Sequence, residues 1–449
     1  MNDTFSQLDF GALKEFLEAE NVTDISYTGH GQVWVKTLDK GVYRVERPEI
    51  NDALMEKLAF QCSNTMGTSF NMAHPLLDAE SAELRMNFVH DSISTNGVSC
   101  TIRKTPAKIR LNKDKLLSEE YVMEELHDFL LKCVEGHCNI IVSGETGSGK
   151  TELVKYLTAA TKENEKIITI EDTLELHLDK IFPTRDIVAM KTNNVASYSD
   201  VLVACMRQNP RWILLSEVRT AESVTAVRNS ISSGHNIIST IHSDRAKNVP
   251  MRLYSLMENN IDIDQFLKSI HRYVQVAVHV KGYYSKEKER FQREIVEICE
   301  FYVSDDNFAC DNVIYKKNLD GNYSLKNPTS YLFDYLASQG VNLETNLFVE
   351  REMTENGGSS TKETSPVEKI EVKEEVQQAV APVVEQSVAP SVPTVTQPIV
   401  QSVAQQQVAQ PTMPVAAQPV VQQVAQSTVQ PTVQGLGQVP MQPRPLEEL

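Results

Sequence analysis

Residues 139–160 constrain this chain more than any other stretch. Asn139-Ile140-Ile141-Val142-Ser143 is a short apolar run, and Gly144-Glu145-Thr146-Gly147-Ser148-Gly149-Lys150-Thr151 matches G-x-x-x-x-G-K-[ST] at every fixed position. Leu153, Val154 and Leu157 then follow at helical spacing. A buried strand that passes through such a loop into a helix implies a parallel α/β sheet, with the first-turn amides facing the loop. The glycines let the backbone curl around phosphate, Lys150 reaches the β and γ phosphates, and the Thr151 hydroxyl suits Mg2+. A nucleoside triphosphate is the expected ligand.

Three further clusters supply what a phosphate loop lacks. Ile167-Ile168-Thr169-Ile170-Glu171-Asp172 is an apolar run ending in two carboxylates, of which Glu171 is favoured to orient or deprotonate water. Capping of the next turn by Asp172 or Thr173 is the plainer use of that segment. Arg211-Trp212-Ile213-Leu214-Leu215-Ser216-Glu217 reads as a Walker B strand whose usual Asp is replaced by Ser216 before Glu217, a residue suited to hold Mg2+ through water. Gly234-His235-Asn236-Ile237-Ile238-Ser239-Thr240-Ile241-His242 is a strand with a histidine at either end, His235 and His242, both candidates for the site.

The chain has 449 residues, enough for two folded domains and a tail. Residues 1–105 read as a small α+β domain, with a helical face of Phe10, Leu13, Phe16 and Leu17, a helix near 53–60, and strands near 24–27, 32–35, 42–45, 85–89 and 98–103. Residues 106–118 follow Pro106 with a run of basic side chains and read as a solvated linker. From 119 to 302, apolar runs at 139–143, 166–171, 212–216, 236–241 and 274–280 alternate with amphipathic helices, the pattern of a parallel sheet. Residues 303–350 form a carboxy-terminal extension, with a strand near 294–303 and a hairpin turn at Asn318-Leu319-Asp320-Gly321 closing the fold. Residues 355–449 are rich in Gln, Val and Pro, lack aromatic side chains and read as disordered.

A net charge of −17 weighs against strong direct nucleic-acid binding, which calls for a basic footprint. The tail's nine acids and four bases leave most of that charge on the folded part. Seven scattered cysteines without paired C-x-x-C spacing read as free thiols in a reducing cytosol. No apolar run approaches membrane-spanning length, so no integral membrane segment is expected.

The ordered blocks G-E-T-G-S-G-K-T, T-I-E-D, R-Q-N-P-R-W-I-L-L-S-E-V-R and S-G-H-N-I-I-S-T-I-H-S resemble the Walker A, Asp box, Walker B and His box of the type II/IV secretion ATPases. The resemblance covers approximately residues 10–302, with Pro75-Leu76-Leu77-Asp78 and Thr101-Ile102-Arg103-Lys104 similar to that family's amino-terminal domain. It implies a RecA-like domain, ATP and Mg2+ as ligands, and a cytoplasmic homohexamer working with membrane components of a secretion or pilus apparatus. It further implies that Arg85 and Arg103 reach the phosphates from the amino-terminal domain, where guanidinium groups neutralise developing charge. Arg207 and Arg219 match basic positions flanking the Walker B strand. The absence of a tetracysteine module favours conjugation and tight-adherence pilus members, with pilus-retraction motors as the neighbouring class. A RecA-like nucleic-acid translocase and a nucleotide-ordered, non-enzymatic scaffold are the alternatives.

Overall fold

The structure is a computed structural model that describes residues 5, 7–81, 83–193, 195–257, 261–318 and 320–353. The stretch read as a disordered tail lies outside the described residues.

The first part of the chain is an antiparallel sheet of β1 (Val22–Tyr27), β2 (Val33–Thr37), β3 (Gly41–Val45), β4 (Leu76–Glu80), β5 (Leu84–Val89) and β6 (Ser99–Lys104), in the order β3-β2-β1-β6-β5-β4. Side chains alternate between faces along a strand, so each strand divides its residues between core and cleft. Ile25, Val35, Met86, Phe88 and Ile102 enter a core against Met55, Leu58, Ala59 and Cys62 of the helix Asp52–Met66. That helix starts where the Asn51 side chain accepts from the Leu54 amide (3.1 Å), and it stops at Gly67, whose φ of 64° is cheap only for glycine. The opposite face carries Asp24, Lys36, Arg85 and Arg103.

The connection after β6 is not a solvated linker. Residues 104–111 are half-buried, and a helix, Lys113–Ser118, places Leu116 in the following core. The reason is electrostatic as well as apolar: Glu152 in the phosphate-loop helix accepts from the Arg110 amide (3.2 Å), while Lys155 donates to the Pro106 carbonyl (3.3 Å). A basic run reads as solvent-seeking only while its acidic partner, distant in sequence, is unknown.

The second sheet comprises β7 (Ile140–Gly144), β8 (Ile167–Glu171), β9 (Ile187–Lys191), β10 (Trp212–Leu215), β11 (Ile238–Ile241), β12 (Val276–Ser285), β13 (Arg290–Val303), β14 (Ala309–Lys317), β15 (Tyr323–Leu325) and β16 (Arg351–Met353). Its two ladders, β10-β8-β9 and β11-β7-β12-β13-β14-β15-β16, meet through parallel bridges at Trp212↔Asn236 and Val218↔Ile241. The strands are parallel from β9 to β12 and antiparallel beyond, which gives a RecA-like core extended by a meander. β9 was absent from the sequence reading because it is an edge strand with no fully buried side chain. The expected hairpin turn is present: the Asn318 amide donates to Asn322 O (2.7 Å) between β14 and β15.

Both faces of the parallel strands are covered. Ile140 and Val142 of β7 pack with Phe129 and Leu130 of the helix Glu124–Glu135 and with Leu153 and Leu157 of the helix Lys150–Ala159. Ile141 points the other way, towards Val224 and Val227 of the helix Ala221–Ser232 and Phe266 and Ile270 of the helix Ile263–Tyr273. Two-sided burial explains why these strands read as continuous apolar runs. Among the described residues no helix is long and apolar enough to cross a membrane.

Trp212 of β10 is fully buried and donates its indole N–H to Glu165 Oε2 (2.8 Å). Trp212→Ala should therefore destabilise the protein by about 3–5 kcal/mol, and Trp212→Phe by less, because Phe keeps most of the volume and loses the hydrogen bond. Urea denaturation followed by circular dichroism checks the order of the two.

Candidate functional site

Parallel strands end on one edge, and that edge decides which predicted residues meet. β7 runs into the loop Gly144–Thr151, β10 is followed by Ser216 and Glu217, and β11 by His242. Gly144 has φ 152°, and a Cβ there would lie 2.3 Å from the Val280 carbonyl oxygen of the neighbouring β12. No other residue fits that close approach.

Lys150 is the buried charge at the centre. Its Nζ donates to the Gly144 and Glu145 carbonyls, both at 3.0 Å, and lies 3.5 Å from His242 Nδ1. His242 Nε2 is in turn 2.6 Å from Glu217 Oε1. The His242 ring thus stands between an ammonium on its Nδ1 side and a carboxylate on its Nε2 side. Burial first, and then Lys150, hold the His242 pKa below the ordinary imidazole value, while Glu217 opposes the shift. Burial likewise lowers the Lys150 pKa, against the opposing pull of Glu217 and Glu175. Glu217 Oε2 lies 3.4 Å from Arg219 Nε, and Arg219 also pairs with Asp172.

Glu171 does not reach this cleft. Its side chain is completely buried at the end of β8, where Oε2 accepts from the Glu175 amide (2.8 Å) and the Leu176 amide (3.0 Å), and Oε1 accepts from the Thr169 hydroxyl (3.1 Å). It shapes the loop that presents Glu175, and Glu175 Oε2 accepts from the Thr151 hydroxyl at 3.3 Å. Asp172 accepts from the Thr173 amide (2.8 Å) and pairs with Arg219, and the next helix, Leu178–Ile181, is not capped by it. Glu175 was missed in the sequence, although it stands only four residues beyond Glu171.

His235 is also left out. It lies at the start of the segment leading into β11, seven residues from His242 and on the order of 20 Å away along an extended chain. Its Nδ1 contacts the Ser233 hydroxyl (2.9 Å) at the end of the helix Ala221–Ser232. Of two histidines flanking one parallel strand, only the carboxy-terminal one can share the phosphate edge.

From the amino-terminal domain, Arg103 lines the cleft but hydrogen-bonds Asp24 Oδ1 through Nε (2.9 Å). Arg85, its cross-strand neighbour on β5, stays outside with Nε 4.0 Å from Glu80 Oε1, and Glu80 also pairs with Lys191. Arg207 is exposed at the end of the helix Tyr198–Met206. Lys36, Arg110 and Arg293 line the cleft without having been anticipated. Lys36 comes so near that a Cβ on Gly147 would lie 2.7 Å from its Nζ. None of the three belongs to a local motif, so strand pairing and domain apposition alone could reveal them.

The cleft encloses about 200 Å³ and is lined by seven Lys or Arg against four Asp or Glu. In a chain of net charge −17 that local excess fits a polyanion. The Thr151 hydroxyl, Glu175 and Glu217 are oxygen donors suited to Mg2+. Among the described residues no three His, Cys, Asp or Glu gather as a metal cage.

Comparison with known proteins fixes the family. The family described as "Type II/IV secretion system protein" matches residues 73–321, more than half of the chain. The chain belongs to this family. An uncharacterized protein of Bacillus anthracis is 28% identical over 318 residues, covering 69% of this chain and 70% of its own length. The type IV secretion system protein VirB11 of Bartonella quintana is 38% identical over 133 residues, 29% of this chain and only 37% of VirB11. A putative conjugal transfer protein of Mycobacterium tuberculosis is 26% identical over 290 residues, 60% of this chain and 79% of that protein. Among solved structures, the VirB11 ATPase of Brucella suis, crystallised with sulphate, has a TM-score of 0.35 at 23% identity, covering 64% of this chain and 91% of that one. Within this secretion ATPase family the phosphate loop implies nucleotide binding.

Burial raises the Glu171 pKa from 4.5 to about 7, against the pull of its hydrogen bonds from Glu175, Leu176 and Thr169. The folded state therefore favours the protonated carboxyl, so the stability Glu171 contributes is complete below pH 4.5 and is lost as pH rises through 7. Between those limits wild type should lose up to about 3 kcal/mol relative to Glu171→Gln. Urea midpoints of both proteins at pH 5 and pH 8 test this, and a difference independent of pH would exclude it.

Proposed function

We propose that this chain is a Mg2+-dependent ATPase, working as a cytoplasmic homohexameric ring at the inner face of the membrane to power a conjugation, type IV secretion or pilus-like machine. The observation that carries this reading is the contact series Lys150–His242–Glu217 across the carboxy-terminal edge of three strands. A phosphate loop alone binds; a loop joined to a carboxylate through a histidine can also respond to the γ phosphate.

On ATP binding, Lys150 exchanges the Gly144 and Glu145 carbonyls for phosphate oxygens, and the loop amides cradle the β phosphate. Bound Mg2+ would neutralise charge between the β and γ phosphates, held by the Thr151 hydroxyl and, through water, by Glu217. Glu217, relieved of Lys150 but still near His242, is placed to orient or deprotonate the attacking water, and Glu175 is the second carboxylate within reach. Arg103 and then Arg85 complete the site when the amino-terminal sheet closes, each leaving an acidic partner for phosphate.

The family, and relatives named as conjugal transfer and type IV secretion proteins, support such a machine. The cysteine spacing supports members without a tetracysteine module.

Purified full-length protein should release phosphate from ATP only with Mg2+. Lys150→Ala and Glu217→Gln should each lower kcat roughly 100-fold or more, the scale expected for loss of a phosphate ligand or a water-orienting group. Turnover undiminished in either variant would overturn the assignment.

A further inference from the structure

The segment that joins the two sheets is held from both sides. On the amino-terminal side the Thr105 amide donates to the Glu83 carbonyl (2.8 Å) and the Ala107 amide to Glu83 Oε1 (3.3 Å), so the strap that follows β6 is fastened to the turn between β4 and β5. On the other side two residues of the helix Lys150–Ala159 grip it. Glu152 Oε2 accepts from the Arg110 amide (3.2 Å) and Glu152 Oε1 lies 3.5 Å from Arg110 Nη1. Lys155 Nζ donates to the Pro106 carbonyl (3.3 Å) and lies 3.6 Å from Glu152 Oε1. Residues three apart share a helix face, so Glu152 and Lys155 form one clamp.

Lys155 is a buried charge that the phosphate chemistry does not use. It is only 2% exposed, and burial lowers its pKa while Glu152 opposes the shift. Loss of either contact would leave an ammonium uncompensated in the interior, so this clamp does not open easily. The Arg103–Asp24 pair is of the other kind: its guanidinium is 43% exposed, and such pairs exchange readily. The strap is therefore the fixed point and Arg103 the moving part. The spans are short. Lys155 stands five residues beyond Lys150, about 7.5 Å along the helix axis, and Pro106 three residues beyond Arg103, at most about 10 Å of chain.

We propose that Lys155 is a positioning residue: with Glu152 it fastens residues 105–110 to the phosphate-loop helix, and that fixed point sets how far Arg103 reaches into the phosphate cleft. The inference rests on the reading that the chain hydrolyses ATP with Arg103 as a closing cation. Any shift of the helix as its first turn takes up phosphate passes through Lys155 to the strap, and from the strap to the end of β6 that carries Arg103.

Steady-state turnover and equilibrium ADP binding, both measured on the full chain, test this as a double-mutant cycle. Lys155→Met keeps the aliphatic stem and removes the charge; kcat should fall roughly tenfold while the Kd for ADP stays within about threefold, because Lys155 does not touch phosphate. In an Arg103→Gln background, where kcat is already lowered, the same substitution should cost less than about a further twofold. Lys155→Arg retains the charge and a donor and should keep kcat within about threefold of wild type. Glu152→Gln leaves an acceptor for the Arg110 amide but removes the charge facing Lys155, so it should follow the same cycle and decides the matter where Lys155→Met fails to fold. An equal loss of kcat in both backgrounds overturns the proposal and makes Lys155 a structural support. So does unchanged kcat in Lys155→Met, or a loss of ADP binding that matches the loss of turnover. Turnover unaffected by Arg103→Gln overturns the positioning role and leaves the ATPase reading standing; a wild type without turnover removes both.

Discussion

One buried ammonium organises the site. Lys150 sits in the first turn of a helix whose own amides carry partial positive charge, so its burial is tolerable only where oxygen and nitrogen acceptors surround it. The Gly144 and Glu145 carbonyls supply two contacts, which requires the loop to curl back on itself, and that curl requires glycine at 144 beneath the Val280 carbonyl. His242 supplies the third side and hands the charge on to Glu217. Loop shape, strand order and acidic partner are thus consequences of placing a cation at the end of β7.

The sequence revealed what is local or periodic. The strand, loop and helix at 139–160 were legible because motif and periodicity agree, and Glu217 and His242 because each follows an apolar run on its carboxy-terminal side. The same logic misassigned Glu171: a carboxylate ending a strand can turn into the cleft or under the next loop, and only the Glu175 and Leu176 amides show which. It also treated the two histidines alike, although strand direction separates them. Lys36, Arg110 and Arg293 were illegible for a different reason, since each reaches the cleft through partners remote in sequence: a β2–β1 ladder, a contact with Glu152, and a hairpin against Leu38.

The amino-terminal sheet meets the phosphate edge with its polar face, and that face arrives partly neutralised. Arg103 is held by Asp24 and Arg85 by Glu80, so neither guanidinium is an uncommitted charge. Such pairs are weak where solvent reaches them and are readily exchanged for a multiply charged phosphate. Lys36 already has its Nζ beside Gly147, where a Cβ would lie 2.7 Å from it.

The order in which cations can engage follows from these pairings. Lys150 and Lys36 lie at the loop, Arg103 lines the cleft but must first leave Asp24, and Arg85, one strand further out, must leave Glu80, which also holds Lys191 at the end of β9. Glu80 ties the amino-terminal sheet to β9 through Lys191, and removal of Arg85 would leave that tie intact. Arg85 and Glu80 belong to the same sheet, so a nucleotide that recruited Arg85 would exchange an ion pair within the amino-terminal sheet for a phosphate contact and leave the interdomain pair of Glu80 with Lys191 in place.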